Sequence, residues 1–291
     1  MTRFASGNAK QPYNQYGFQW FDGYKNALDI KMSFKELVKH MASLEDAQRR
    51  EREKQKNFDY HSSALELIRK VLEQVLPEIS NFRTELKEQI VLVADYHDGS
   101  EKKTVTMEQL SSGYQVMLAL VIDITLRLLA LNHQSATALN ASGIILIDEI
   151  DLHLHPQWQQ SFIAKLRGIF PNIQFIMTTH SPQVISTVAS QCIRIIEHGK
   201  VYSAPKGTKG AESSRILKRV FGVDVRPPND ENTTKLNRYM QLVYDDKWQG
   251  SEAVALRAQL DEIFADEEPE LTEADLYIEN RSWELDVEEN Q

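Results

Sequence analysis

Residues Gly143-Ile-Ile-Leu-Ile-Asp-Glu149 constrain the fold more than any other stretch of the chain. Ile144 to Ile147 is a continuous apolar run, which suits a strand covered on both faces within a parallel sheet. It runs directly into Asp148-Glu149. Ligands of open α/β sheets sit beyond the carboxyl ends of such strands. The chain therefore presents two adjacent carboxylates where a nucleotide would bind. One can hold Mg²⁺, which prefers carboxylate, water and phosphate oxygens. The other can polarise a water for attack on a γ-phosphate. Two neighbours sharpen this reading. Leu110-Ser-Ser-Gly-Tyr-Gln115 lies upstream, and downstream a second apolar strand, Phe175-Ile-Met177, ends in Thr178-Thr-His-Ser-Pro182.

Periodicity organises the rest. Ile30 to Phe58 reads as a helix with a charged, solvent-facing stretch at Glu45 to Lys56. Ser62 to Leu76 reads as a second helix with Leu65, Ile68, Val71, Leu72 and Val75 on one stripe, ended by Pro77. Gln89 to Tyr96 and Lys103 to Thr106 read as a hairpin around the Asp98-Gly99 turn signal. Tyr114 to Leu131 is an apolar helix, and Gln157 to Phe170 is a helix after Pro156. Ile193 to Glu197 and Lys200 to Ser203 pair around His198-Gly199. Short helices follow at Ser213 to Phe221, Thr234 to Tyr244 and Ser251 to Ala265, while residues 1–24 read as irregular. The longest apolar stretches fall short of a membrane span, the amino end lacks a signal-peptide core, and a single cysteine, Cys192, forms no internal disulfide, which favours a reducing cytoplasm.

The order of the Ser-Ser-Gly loop, the acidic strand and the strand-to-histidine resembles that of signature, Walker B and switch in ABC-type ATPases. Leu110-Ser111-Ser112-Gly113 resembles the signature loop, Ile144 to Glu149 resembles Walker B, Leu154-His155-Pro156 stands at the D-loop, and His180 matches the switch histidine. Over roughly residues 10–245 the chain is most similar to the single-chain ATPases of bacterial defence, the Septu and retron type, related to overcoming-lysogenization-defect and RecF/SMC-like ATPases. The resemblance implies an α/β fold with a mainly parallel sheet flanked by helices, an α-helical lobe and an acidic tail. It divides the chain into a helical lobe with an irregular start (1–88), an ATPase core (89–205), a helical region (206–265) and the tail (266–291). It implies ATP and Mg²⁺ as cofactors. Asp148 supports Mg²⁺, Glu149 is the general base, and His180 senses the γ-phosphate. Ser111, Ser112 and the Gly113 backbone hold the ATP of an opposing subunit, with His155 at the interface. The amino end of the signature helix, with its free N–H groups, suits phosphate. His153 and His155 also form an HxH pair, but no third zinc ligand is evident by spacing.

The implied partners are further copies of the chain, as a homodimer or higher homo-oligomer around sandwiched ATP, an HNH-type nuclease, and a reverse transcriptase with its non-coding RNA. No nuclease motif stands in the chain itself. No GxxxxGK[ST] phosphate loop occurs either, so the chain is expected to be the carboxy-terminal part of a longer ATPase and inactive alone. A DNA-repair or chromosome-maintenance ATPase of the RecF/SMC type, and a non-catalytic docking module, are the rival readings.

Charge adds two expectations. Residues 261–291 hold thirteen acidic residues against Arg281, a net −12, which leaves +3 for the rest of a chain whose total is −9. Lys206, Lys209, Arg215, Lys218 and Arg219 form a basic cluster that leaves DNA or RNA contact open. The tail, punctuated by Leu276, Tyr277, Ile278, Trp283 and Leu285, is expected to lie outside the core, to be dispensable for folding and to dock a partner.

Overall fold

The apolar helix before the acidic strand contributes a large share of the main hydrophobic core. A computed structural model of the chain describes residues 4–5, 34–98, 101–132, 135–265 and 267–289, which fall into two compact units, Met1–Ile216 and Leu217–Gln291. The expected irregular start, residues 1–24, lies outside the described residues except for a two-residue strand, β1 (Phe4–Ala5).

In the first unit, α1 (Phe34–Gln55) and α2 (Ser63–Val75) come first. All five residues of the predicted α2 stripe are buried. A three-stranded antiparallel sheet follows, ordered β2 (Ile79–Leu86), β3 (Ile90–Asp98) and β4 (Glu101–Thr106). The β3–β4 hairpin is the one its turn signal predicts. β2 was not anticipated, because its sequence Ile-Ser-Asn-Phe-Arg-Thr-Glu-Leu carries a bulge between Ser80 and Arg83 that breaks the alternation, with Asn81 at φ 54°.

α3 (Ser112–Leu131) buries Met117, Leu118, Val121, Ile122, Ile124, Leu128 and Leu129. By length and composition it could cross a bilayer, which the broken apolar stretches of the sequence did not suggest. Its burial inside the unit, and the Arg127–Asp123 ion pair at 2.8 Å one turn apart in its middle, make it a core helix. Burial raises the Asp123 carboxyl, and Arg127 opposes that shift. α4 (Ser135–Ala138) leads to β5 (Gly143–Ile147), which pairs in parallel with β6 (Ile173–Met177) through the crossover helix α5 (Pro156–Ile169). β1 flanks β5 antiparallel, giving the order β1-β5-β6. Parallel pairing demands such a crossover, and it sets Ile147 beside Met177 so that both strands end together. The short α6 (Pro182–Ile185), the hairpin β7 (Arg194–Glu197) and β8 (Lys200–Ser203), and α7 (Ser213–Ile216) complete the unit.

Among its described residues the second unit holds a π-helical turn (Leu217–Phe221) and three helices, α8 (Glu231–Tyr244), α9 (Ser251–Phe264) and α10 (Pro269–Glu289). Its core joins Leu236, Tyr239, Val243 and Leu260 with Leu271 and Ala274 of the acidic segment, and Tyr277 and Ile278 pack against it. The expectation that residues 266–291 stay out of the core is thus corrected. Low apolar content does not prevent burial when the few apolar residues recur at helical spacing. The acids find partners as well: Arg226 pairs with Glu268 at 2.6 Å, and Arg257 pairs with Asp275.

Candidate functional site

Two groups of predicted residues occupy the described structure. The first is Asp148, Glu149 and His180, at the carboxyl ends of the parallel strands. Thr178, the residue after β6, holds both acidic residues. Its hydroxyl donates to Asp148 Oδ1 at 2.5 Å and accepts the Glu149 N–H at 2.8 Å. The backbone continues the ladder, with Thr178 N–H to Ile147 O and Ile150 N–H to Thr178 O, each 3.0 Å. Glu149 takes φ 51°, a left-handed conformation uncommon for a residue of its type. Asp148, Glu149 and His180 are all exposed.

The next five residues form a braced loop. Leu152 N–H bonds Glu149 O and Leu154 N–H bonds Asp151 O, two successive turns with His153 at φ 64°. Thr179 donates its hydroxyl to Asp151 at 2.5 Å. The Gln159 amide donates to Leu154 O at 2.8 Å and to Asp151 O at 3.3 Å, and Ser181 Oγ–H donates to Gln159 Oε1 at 2.6 Å. His155 caps α5, its Nδ1 accepting from Gln157 N–H, with Pro156 at the first helical position.

The second group is Ser111, Ser112 and Gly113 at the start of α3. Together with Tyr114, His153, Leu154, His155, Gln157 and Trp158 they line one cleft of about 570 Å³. Ser111 stands at the N-cap in extended conformation, but its side chain makes no capping hydrogen bond. Gly113 is buried so tightly that a Cβ there would come within 2.7 Å of the His153 carbonyl oxygen and 2.9 Å of the Trp158 ring. Tyr114 lies edge-on to Trp158, ring centroids 4.2 Å apart, and its hydroxyl donates to Glu78 at 3.1 Å. Burial, aided by the Glu78 charge, pushes the Tyr114 phenol up to about 12.

Ser111, Ser112, Gly113 and His155 are therefore neighbours in one cleft, while Asp148, Glu149 and His180 are not among its lining residues. Of the basic cluster, Lys206, Lys209 and Arg215 belong to the first unit and Lys218 and Arg219 to the second. Sequence reasoning missed Thr178, Thr179, Gln159 and Trp158. The Thr-Thr pair before His180 was the available signal for the first two. Gln159 and Trp158 carried none, since both sit in an ordinary helical stretch.

The donor chemistry fits a nucleotide and a hard cation. Asp148 presents an exposed carboxylate whose second oxygen accepts no hydrogen bond among the described residues, the oxygen ligand Mg²⁺ takes. A 20-residue helix with an uncommitted N-cap hydroxyl offers phosphate several donors.

Comparisons with known proteins agree. The family described as "AAA domain, putative AbiEii toxin, Type IV TA system" matches residues 11–186. The "Retron Ec83 probable ATPase" of Escherichia coli is 42% identical over 234 residues, covering 80% of this chain and 42% of that protein. The "Retron Vc95 probable ATPase" of Vibrio cholerae is 54% identical over 99 residues, 34% of this chain and 19% of that protein. The "Septu protein PtuA" of Bacillus mycoides is 46% identical over 76 residues, 26% of this chain and 10% of that protein. The chain spans less than half the length of these relatives. Its relatives include probable ATPases of retrons and a Septu protein, and the chain itself belongs to the AAA-domain family.

Proposed function

We propose that this chain is the carboxy-terminal part of an ATP-hydrolysing head in a cytoplasmic antiphage defence system, and that two such heads close around ATP. In this reading Asp148 holds Mg²⁺, which would supply charge neutralisation at the phosphates. Glu149 accepts a proton from the attacking water, and His180 contacts the γ-phosphate. Ser111, Ser112 and the N–H groups at Gly113 bind the nucleotide of the opposing subunit, with His155 at the same interface. The head regulates a separate nuclease of HNH type, within a complex that on the retron side includes a reverse transcriptase and its RNA. The observation that carries the reading is the single Thr178 hydroxyl joined to both acidic residues at the end of β5. Phosphoryl transfer depends on positioning more than on covalent chemistry, and this tether fixes the Asp148 carboxylate and the Glu149 backbone to the end of β6.

The test is Glu149→Gln in the full-length ATPase. The amide keeps the size and removes the base. Hydrolysis should fall at least ~10²-fold while ATP binding, followed by equilibrium dialysis, persists. Turnover within a few-fold of the parent would remove Glu149 from this role. Ser111→Arg should also stop turnover, and mixing it with Glu149→Gln subunits should restore one working composite site. Absence of any recovery in the mixture would count against the shared site.

A further inference from the structure

Trp158 touches three parts of the candidate site at once. It lies in the first turn of α5, three residues after the His155 cap. Its ring stands against the Gly113 backbone, closely enough that no Cβ fits between them. It meets Tyr114 edge-on at 4.2 Å and His155 at 6.3 Å. Its other neighbours belong to the main core. Tyr114 in turn is tied to Glu78, at the turn between α2 and β2. The start of α3 and the loop 151–155 are thus held to one another through one indole, with the His153 carbonyl completing the contact at Gly113.

The consequence follows from the proposed two-head arrangement, on which this inference rests. In that arrangement the start of α3 serves the nucleotide of the opposing subunit, whereas loop 151–155 follows the Asp148-Glu149 pair of the chain's own site. We propose that Trp158 is a positioning residue that locks these two segments together, so that the geometry of one nucleotide site is transmitted to the other. Trp158 does not touch nucleotide in this role. It acts by fixing where Ser111 to Gly113 stand relative to His153 and His155. The rigid aromatic wedge suits the task because it has few rotamers and meets Gly113, Tyr114 and His155 at once, whereas a long flexible side chain would let the segments move independently.

Two readouts test this. The first needs no nucleotide. Hydrogen exchange of the hydrogen-bonded amides at 115–118, in the first closed turn of α3, and within 152–155, at Leu152 and Leu154, is followed in the purified chain. In Trp158→Ala both segments should exchange at least ~10-fold faster together, while β5 and β6 keep their protection. Trp158→Phe, which retains an aromatic face, should stay close to the parent. Faster exchange confined to 152–155, with the start of α3 unchanged, would overturn the lock. Should Trp158→Ala fail to fold, Trp158→Leu takes its place, since it fills part of the volume without an aromatic face, and the same joint loosening is required of it.

The second readout is turnover in the full-length ATPase. A misplaced donor set lowers kcat, by about tenfold or more in Trp158→Ala, with the KM for ATP within about twofold. Trp158→Phe should recover most of the rate. A rise in KM with kcat unchanged would assign Trp158 to simple binding and overturn the positioning role. If Glu149→Gln leaves turnover intact, the hydrolytic reading itself fails, and the exchange experiment still decides whether the two segments are locked.

Discussion

Gly113 shows how a single residue can have its identity dictated by a neighbour distant in sequence. Within a helix, alanine is favoured over glycine by about 1 kcal/mol, so Gly113→Ala in α3 should stabilise the chain if only local structure mattered. The contact geometry opposes this. The new methyl would lie 2.7 Å from the His153 carbonyl oxygen and 2.9 Å from the Trp158 ring, and a backbone oxygen held in a braced loop cannot yield as a side-chain tip would. Overpacking of this kind costs about 1–3 kcal/mol, enough to reverse the propensity gain. Urea denaturation of Gly113→Ala should show a net loss of stability; a midpoint above the parent's would mean that the loop gives way freely. Glu149 is the complementary case. Its left-handed backbone is not demanded by its own sequence but by the bonds from Thr178 that turn the chain after β5.

At the scale of elements, the β2-β3-β4 sheet carries a polar cluster that sets its response to pH. Asp95 on β3 is buried, at 3% exposure, and accepts hydrogen bonds from Asn81, Lys102, Thr104 and Arg83. The Asn81 amide foremost, then Lys102, with Thr104 and Arg83 adding to them, hold the carboxyl well below its ordinary range against the opposing effect of burial. Because the folded pKa is depressed, the stabilisation is complete above the unfolded value near 3.8 and is lost as pH falls below it. Asp95→Asn should therefore be less stable than the parent by about 1–3 kcal/mol at neutral pH, and the gap should narrow as the pH is taken down from 4. Urea melts at pH 7 and pH 3 check the sign; a gap that is the same at both would show that Asp95 is not titrating against this network. The same cluster explains the bulge, since Asn81 reaches Asp95 from a left-handed backbone.

At the scale of the molecule, the acidic segment belongs to the Leu217–Gln291 unit rather than trailing from it. Truncation after Ala265 removes Leu271, 3% exposed, and Ala274, fully buried, together with the acids that pair with Arg226 and Arg257. Loss of one buried leucine side chain alone costs about 2–5 kcal/mol, so the truncated unit should lose its cooperative transition by circular dichroism. Trp283→Ala, at a position 71% exposed, should by contrast shift stability by no more than about 0.5 kcal/mol. A truncated unit that melts as the parent does would restore the picture of a dispensable tail. Among the described side chains of this helix, Leu276 and Trp283 are exposed apolar residues, while the Leu285 side chain lies outside the described residues.

Much of this was legible in the sequence alone. The apolar run before Asp148-Glu149 determined a parallel strand, although only Ile145 and Ile147 of it are buried; the stripe in α2 determined its buried face, and Asp98-Gly99 determined the β3–β4 hairpin, because each is a local pattern whose period or turn chemistry admits few structures. Tertiary structure alone decided the rest. The bulged β2 has no clean alternation to read. The burial of Leu271 and Ala274 in an acidic segment depends on a core shared with residues of α8 and α9, which composition does not reveal. The union of Ser111 to Gly113 with His153, His155 and Trp158, and of Asp148 and Glu149 with Thr178, joins residues about thirty to forty-five apart in the chain. Those distances are set by where the parallel crossover returns the chain, a packing outcome that no window of sequence contains.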